Sequence, residues 1–428
     1  MRSRTPKVLH TIAGRPMIDL VLDAVLEAGV ERPIVVVNPD QPEVAEHVAR
    51  RADVVFQANP RGTGDALGRV PQERLRGHDV LVVNGDMPLL QTGDLLQVLN
   101  SHRGGATIAT AKDRGYADGR VVRRPDGSFE RIVEMKDASA EERRIDEINT
   151  GVYVFDGDQL EPALAAVQPS AATGEVYLTT AVGHFRPVNA VQLLIGDDTR
   201  GVNDRMELWI ASNEMYIRKH QELFAAGVTL LDTSSIFVDL DVEVGEDTVI
   251  EPFTILRGVT KIGRGCVIGP YAHLTDTVLG ENCRVEHSRL DGCRLGDDTD
   301  CGPFSRVRPG SDIAAGVHVG SFAEINRTSI GDGTRVPHFS YLGDAVIGRN
   351  VNIAAGSVTA NYDGVAKHRT VIEDDVFLGV DTMLRAPVKL GKGSRTGAGA
   401  VVLDDVQPGE TVIGVPARPI RKERKARA

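Results

Sequence analysis

From about residue 242 to residue 402 a six-residue beat governs the chain. Aliphatic or small residues recur at Ile262, Ile268 and Leu274, then Leu279, Val285 and Leu290, then Leu295, Cys301 and Val307. The series continues through Ile313, Val319, Ile325; Ile330, Val336, Leu342; Ile347, Ile353, Thr359; Ile372, Leu378, Leu384; and Leu390, Thr396, Val402. Glycine follows the first member of many triplets, at Gly263, Gly280, Gly296, Gly331, Gly348 and Gly391. Successive triplets start 16 to 18 residues apart, so three hexapeptides make one coil of a parallel β-helix. One step, from Ile347 to Ile372, is 25 residues long and marks an inserted loop around "NYDGVAKHR". A regular solenoid has no packing need for such an insertion, so the loop is a candidate functional element.

Residues 1 to about 200 follow a different rhythm. "RPIVVVN" (32–38) and "DVLVVNGD" (79–86) are short β-branched runs that end in turn residues, while "PEVAEHVARR" and "GTGDALGRV" have helical spacing. This alternation predicts an α/β layer structure with a largely parallel sheet, and ligands at the carboxyl ends of its strands. The apolar stretch near the start is broken by Asp19, Asp23 and Glu27, which predicts an amphipathic helix rather than a signal peptide or a membrane span. A second helical stretch, 201–228, stands between the halves and could brace one against the other. The expected division is 1–205, a connector at 206–241, the β-helix at 242–418, and a basic tail at 419–428.

Forty-nine basic against sixty acidic residues leave a net charge of −11, which argues against nucleic acid or anionic lipid as a bulk partner. Cys266, Cys283, Cys293 and Cys301 form no CxxC or Cys/His cluster, so free thiols in a reducing cytoplasm are expected rather than a zinc site.

Quoted in order, "TPKVLHTIAGRPM", "GTGDAL", "NGDMPLL", "IVEMKDAS", "EINTGVYVF", "GVNDR", "VRPG", "YLGDAVIG", "NYDG" and "DDVFLG" span residue 5 to about 379. Together they resemble the bacterial bifunctional family N-acetylglucosamine-1-phosphate uridylyltransferase/glucosamine-1-phosphate N-acetyltransferase. The resemblance implies a Rossmann-like nucleotidyltransferase domain followed by a left-handed parallel β-helix. It implies acetyl transfer from acetyl-CoA to glucosamine 1-phosphate, then uridylyl transfer from UTP to N-acetylglucosamine 1-phosphate with Mg²⁺. It also implies a cytoplasmic homotrimer with acetyl sites between subunits.

Residue by residue, the resemblance gives Asp86 and Asn203 to the metal, Lys7 to the nucleotide phosphates, and Gln57, Gly62 and Thr63 to the uracil segment. Gly119, Glu134, Asn149 and Asn203 match positions around the acceptor sugar phosphate. In the second half His338 matches the base that must take a proton from the sugar amine, a task suited to a group titrating near neutrality. Arg308, Asn326, Tyr341 and Asn352 match acceptor contacts; Ala355, Asn361, Tyr362, Val380 and Ala398 match the acetyl-CoA groove.

Several positions depart from the family pattern. The family's glycine-rich phosphate loop and first strand come immediately before the point where this sequence begins, so the expectation is an impaired uridylyl transfer in the chain as written. Asp65 stands where the family commonly has histidine in "GTGHA". Asn326 occupies a lysine position, Val380 a serine position and Gly414 a cationic one. Arg327 follows Asn326, but strand alternation would send it to the opposite face; Arg418 is a candidate for coenzyme A phosphates. Two other readings accommodate these departures: a related transferase for another sugar phosphate, and a trimeric scaffold whose sites have decayed.

Overall fold

The computed structural model describes residues 1–112, 119–170, 173–193 and 200–420. Most of the expected basic tail, 421–428, lies outside the described residues. The chain divides into two units, Met1–Met215 and Tyr216–Ala428.

In the first unit, α1 (Met17–Glu27) buries Met17, Ile18, Leu20, Val21, Ala24 and Val25 along one side. Its charged positions are used rather than wasted: Asp19 meets His47 at 2.9 Å, and Asp23 pairs with Arg15 at 2.6 Å. Strands β1 (Ile34–Val37) and β2 (Asp53–Phe56) pair in parallel around α2 (Pro42–Val48), the β-α-β rhythm read from the sequence. Then follow α3 (Thr63–Leu67), β3 (Asp79–Val82), α4 (Thr92–Asn100) and β4 (Ala106–Lys112).

The rest of the unit departs from a largely parallel sheet. Strands β5 (Arg120–Arg123) and β6 (Phe129–Val133) form a hairpin, after which β7 (Glu147–Asp156) enters in the reverse direction. It pairs antiparallel with β3, β4 and β5, so among the described residues of the six-stranded sheet the only neighbours paired in parallel are β4 and the later β8 (Val188–Gln192). Ile148 through Phe155 are all buried, so β7 carries no alternation that would betray its direction. Helices α5 (Gly157–Ala165) and α6 (Leu178–Val182) pack Leu160, Ala163, Leu178 and Val182 into the same core as Phe155 and Phe185. Helix α7 (Arg205–Ala225) contains the division between the two units.

The second unit is the β-helix. Every residue of the eight triplets named above is buried, at 4% exposure or less. The same inward slot is handed from coil to coil in register: Ile268 pairs with Val285, Val285 with Cys301, Cys301 with Val319, and Val319 with Val336. Two faces form one ladder of short strands and the third face a separate nine-stranded ladder. Glycine is required where coils touch most closely: a Cβ on Gly263 would lie 2.4 Å from the Gly280 carbonyl oxygen. All four cysteines are buried and unpaired, and burial pushes the Cys301 thiol up to about 12.

The ladder starts earlier than the glycine pattern indicates. Thr229–Leu230 already pairs with Val249–Ile250 and Phe237–Val238 with Ile255–Leu256, so in this coil the inward residues Leu230 and Val238 stand eight apart instead of six. One corner carries a row of rings, the exposed Phe253, Tyr271, Phe304 and Phe322 with the half-buried His287 among them, with centroids 4.8 to 5.4 Å apart. All five have left-handed backbone, with φ between 42° and 62°. Among the described residues no helix is long and apolar enough to cross a membrane.

Candidate active sites

The first candidate site forms beyond the carboxyl end of β3. Asp86 follows that strand by a short turn, and the segment 201–203 is bound beside it through the Val202 N–H, which donates to the Asp86 carbonyl at 2.8 Å. The Lys7 ammonium donates to Asp86 Oδ2 at 2.5 Å and to Asn203 Oδ1 at 3.1 Å. Three residues expected to serve one reaction therefore converge on one point. Gly201 belongs with them although the sequence reading did not single it out: a Cβ there would lie 3.2 Å from Asp86 Oδ1. Its signal was its place two residues before Asn203 in "GVNDR".

The oxygens of Asp86 and Asn203 fit Mg²⁺, which takes few protein oxygens and keeps waters or phosphate oxygens in its other positions. No cluster of three or more His, Cys, Asp or Glu suited to a metal occurs among the described residues, so a tight all-protein cage is not offered.

Gln57 lies at the end of β2, anchored by its own N–H to the Val37 carbonyl at 2.9 Å. Gly62 has φ 103°, and a Cβ on it would lie 2.6 Å from the Val176 carbonyl oxygen. The Gly64 N–H donates to that same oxygen at 2.9 Å, and the Thr63 hydroxyl accepts from the Leu178 N–H at 3.1 Å. The "GTG" stretch is thus shaped by the 176–178 segment as much as by any ligand. Asp65 accepts from Gln57 at 2.6 Å and from Arg69 at 2.7 Å.

The sugar-site residues also gather. The Asn149 N–H donates to the Gly119 carbonyl at 2.9 Å, and the Glu134 carboxylate lies beside Gly119. Glu134 Oε1 accepts from the Thr179 hydroxyl at 2.6 Å and helps line a cavity of about 210 Å³ with Asp137, Gln168 and Tyr177. The Asn149 amide nitrogen donates to the Tyr153 hydroxyl at 2.7 Å, and its buried Oδ1 has no partner among the described residues.

In the β-helix the expected residues sort onto a corner and its two flanking faces. His338 is exposed at the corner, in the strand β9 (Arg335–Gly343). The next coils stack upon it there: Gly356 N–H donates to the Phe339 carbonyl at 2.7 Å, Asp381 to Ala355 at 2.7 Å, and Gly399 to Val380 at 2.8 Å. Ala355, Val380 and Ala398 therefore make one continuous row leading away from His338. In the register next to this row, Phe322 is followed by Phe339 and then by Gly356, Asp381 and Gly399, so the rings give way to small or short residues only beyond Phe339. Asn352 pairs with Arg335, on the face that precedes the corner.

The other flanking face holds the second cluster. Arg308 pairs with Glu324 at 2.9 Å, and Glu324 is in register with Tyr341. A Cβ on Gly343 would lie 2.7 Å from both the Tyr341 hydroxyl and the Asn361 amide nitrogen, so these two groups converge over it. Asn326 is only 4% exposed, so its amide is not open to an acceptor. Arg327 covers it, and strand alternation does not describe their relation. Arg327 lies just past the strand end with φ 48°; its guanidinium reaches Asn326 Oδ1 at 3.5 Å and pairs with Asp344 at 2.7 Å. The Arg327 hydrogen bond holds the Asp344 carboxyl below its ordinary value against the opposing effect of burial.

The inserted loop folds back on itself. Asp363 accepts from the Ala366 and Val365 N–H groups and from His368, which hold its carboxyl well below the usual range. Tyr362 is exposed, its hydroxyl donating to the Gly364 carbonyl at 2.6 Å. Arg418 faces Asp404 at 3.6 Å. A larger hollow of about 470 Å³ on the third face, lined by Arg294, Asp297, Asp312 and Asp332 among others, contains none of the expected site residues.

Residues 1–180 match the family model described as a MobA-like NTP transferase domain, and residues 241–276 and 327–361 match bacterial transferase hexapeptide repeats. The "Bifunctional protein GlmU" of Syntrophomonas wolfei is 41% identical over 420 residues, covering 95% of this chain and 93% of its own length. Proteins of the same name are 40% identical in Carboxydothermus hydrogenoformans, over 99% of this chain and 96% of theirs, and 42% identical in Heliobacterium modesticaldum, over 96% and 92%. A nucleotidyltransferase unit and a hexapeptide β-helix, in the order and over the length that these relatives share, place this chain in the GlmU family of bifunctional proteins.

Proposed function

We propose that this chain carries out the last two chemical steps to UDP-N-acetylglucosamine, one on each unit. On the β-helix, the amine of glucosamine 1-phosphate attacks the thioester carbonyl of acetyl-CoA. A C–N bond forms, the C–S bond breaks, and coenzyme A leaves as the thiol. His338 takes the amine proton as the bond forms. Arg308 holds the sugar phosphate through its planar guanidinium, with Tyr341 beside it and Asn352 across the corner. The Ala355–Val380–Ala398 row takes the pantetheine arm, where small side chains let it approach the backbone, and Asn361 and Tyr362 border it. Because this row is open to solvent, we assign its opposite wall to a neighbouring subunit of a homotrimer.

On the α/β unit, a phosphate oxygen of N-acetylglucosamine 1-phosphate attacks the α-phosphorus of UTP and pyrophosphate departs. Bound Mg²⁺, held by Asp86 and Asn203, would neutralise phosphate charge. Lys7 then turns from Asp86 to the phosphates, and Glu134, Asn149 and the Gly119 backbone orient the sugar. The Asn149 Oδ1, without a partner among the described residues, supplies an acceptor for it. Unpaired buried cysteines fit a cytoplasmic protein.

The observation that carries the reading is the convergence of Lys7, Asp86 and Asn203 in a chain that also aligns His338 with the Ala355–Val380–Ala398 row. The test uses the purified full chain. Thiol release from acetyl-CoA with glucosamine 1-phosphate, and pyrophosphate release from UTP with N-acetylglucosamine 1-phosphate and Mg²⁺, are both expected. Loss of either activity removes that half of the proposal. Burial of Asn326, a position where the sequence comparison expects an acceptor contact, favours a panel of other amino-sugar phosphates as the second experiment.

A further inference from the structure

Gln57 offers a nucleobase either a carbonyl oxygen or an amino group, and its surroundings decide which. Its Nε2 donates to the Gly62 carbonyl at 3.3 Å and to Asp65 Oδ2 at 2.6 Å. Both partners are pure acceptors. Arg69 donates to Asp65 Oδ1 at 2.7 Å, and Arg61 approaches the same atom at 3.4 Å from the preceding turn. Burial raises the Asp65 pKa, but the hydrogen bonds from Gln57 and Arg69 outweigh it and the carboxylate stays ionised. Reversing the Gln57 amide would set its carbonyl oxygen against two other oxygens, so only one orientation is available. Its Oε1 has no donor among the described residues and is left for a ligand.

We infer that Asp65 is a positioning residue for base selection: it fixes the Gln57 amide so that Oε1 meets a base bearing an imide N–H. This rests on the uridylyl-transfer reading. Uracil presents N3–H at its pairing edge and donates to Oε1. Cytosine presents a bare N3 lone pair there, which Oε1 repels. Arg61 and Arg69 neutralise the carboxylate, so the device does not set an uncompensated negative charge beside a nucleotide. Asp65 acts only through Gln57 and touches no substrate.

The experiment compares kcat/KM for UTP and CTP, together with their dissociation constants by calorimetry, in the full chain and in Asp65→Ala and Asp65→Asn. Far-ultraviolet circular dichroism and thermal unfolding of each variant monitor folding of the α/β unit, and the near-isosteric Asp65→Asn keeps the test alive if the alanine variant misfolds. Asp65→Ala frees the amide to turn, and the UTP/CTP preference is expected to fall about ten- to a hundredfold. Asp65→Asn retains one acceptor but adds a donor that tolerates the reversed amide, so it should fall between. A parallel loss for both nucleotides, with an unchanged ratio, assigns Asp65 a structural role and overturns the inference. A wild-type chain that neither binds nor turns over UTP overturns the uridylyl reading, and this inference with it. A wild type that prefers UTP while both variants keep that preference overturns this inference alone.

Discussion

In the α/β unit, Lys7 reaches across 79 residues of sequence to Asp86 and 196 to Asn203. In the β-helix, His338, Ala355, Val380 and Ala398 simply succeed one another coil by coil. The first arrangement depends on the whole topology of its unit, because hairpin, sheet and returning segment must all be in place before the three side chains meet. The second depends on nearest neighbours, since each coil pairs only with those above and below. One unit achieves convergence through long-range closure and the other through repetition, and the same kind of perturbation should propagate differently in each.

The sharpest way to break this comparison is to remove one group from each site. His338→Ala should lower thiol release from acetyl-CoA by about 10²–10⁴-fold while leaving pyrophosphate release unchanged. A matching fall in both activities would show that the units do not work independently. Asp86→Ala should give the mirror image: pyrophosphate release falls by about a hundredfold or more, its Mg²⁺ dependence weakens, and thiol release persists. Leu290 is fully buried in the β-helix core, so Leu290→Ala should cost about 2–5 kcal/mol. Denaturation followed by far-ultraviolet circular dichroism should show a β-helix transition shifted while uridylyl transfer survives at moderate denaturant.

A smaller effect tests the Arg327–Asp344 pair. The Asp344 carboxyl lies below its ordinary value of 3.8, so the pair stabilises above that pH and the contribution is lost as pH falls through the lower folded value. Arg327→Asn, which tolerates the left-handed backbone, should cost roughly 0.2–1 kcal/mol near neutrality. The difference from wild type should shrink in melts as the pH is lowered below 3.8. Of similar size and opposite sign is Gly93→Ala. A Cβ there meets nothing within 4 Å inside α4, so a gain of about 0.5–1 kcal/mol is expected.

What could be read from the sequence follows the same division. A repeating coil writes its architecture into local spacing, and every triplet residue inferred from that spacing is buried. The first coil escaped because its inward residues Leu230 and Val238 stand eight apart and break the six-residue step. In the α/β unit, strands and helices were legible, but direction was not: the uniformly buried β7 looks alike either way along. Contacts between remote positions were legible only through motif resemblance, which brought Lys7, Asp86 and Asn203 together but passed over Gly201. The Arg327–Asp344 pair was hidden for another reason. A left-handed residue at a corner cancels the two-residue alternation on which a strand reading depends.

The row from His338 to Ala398 also behaves as a ruler. Each coil adds one strand spacing, about 4.8 Å, so the three steps along the row measure roughly 14 Å. Residue insertions such as the loop after Ala360 bulge outward without altering that spacing, because the strands on either side remain in register. The distance from His338 to the end of the row therefore changes only in whole graduations, by gain or loss of an entire coil. On the proposed acetyl-transfer reading, an acyl donor lying along the row would meet a scale that point substitutions can roughen but not recalibrate.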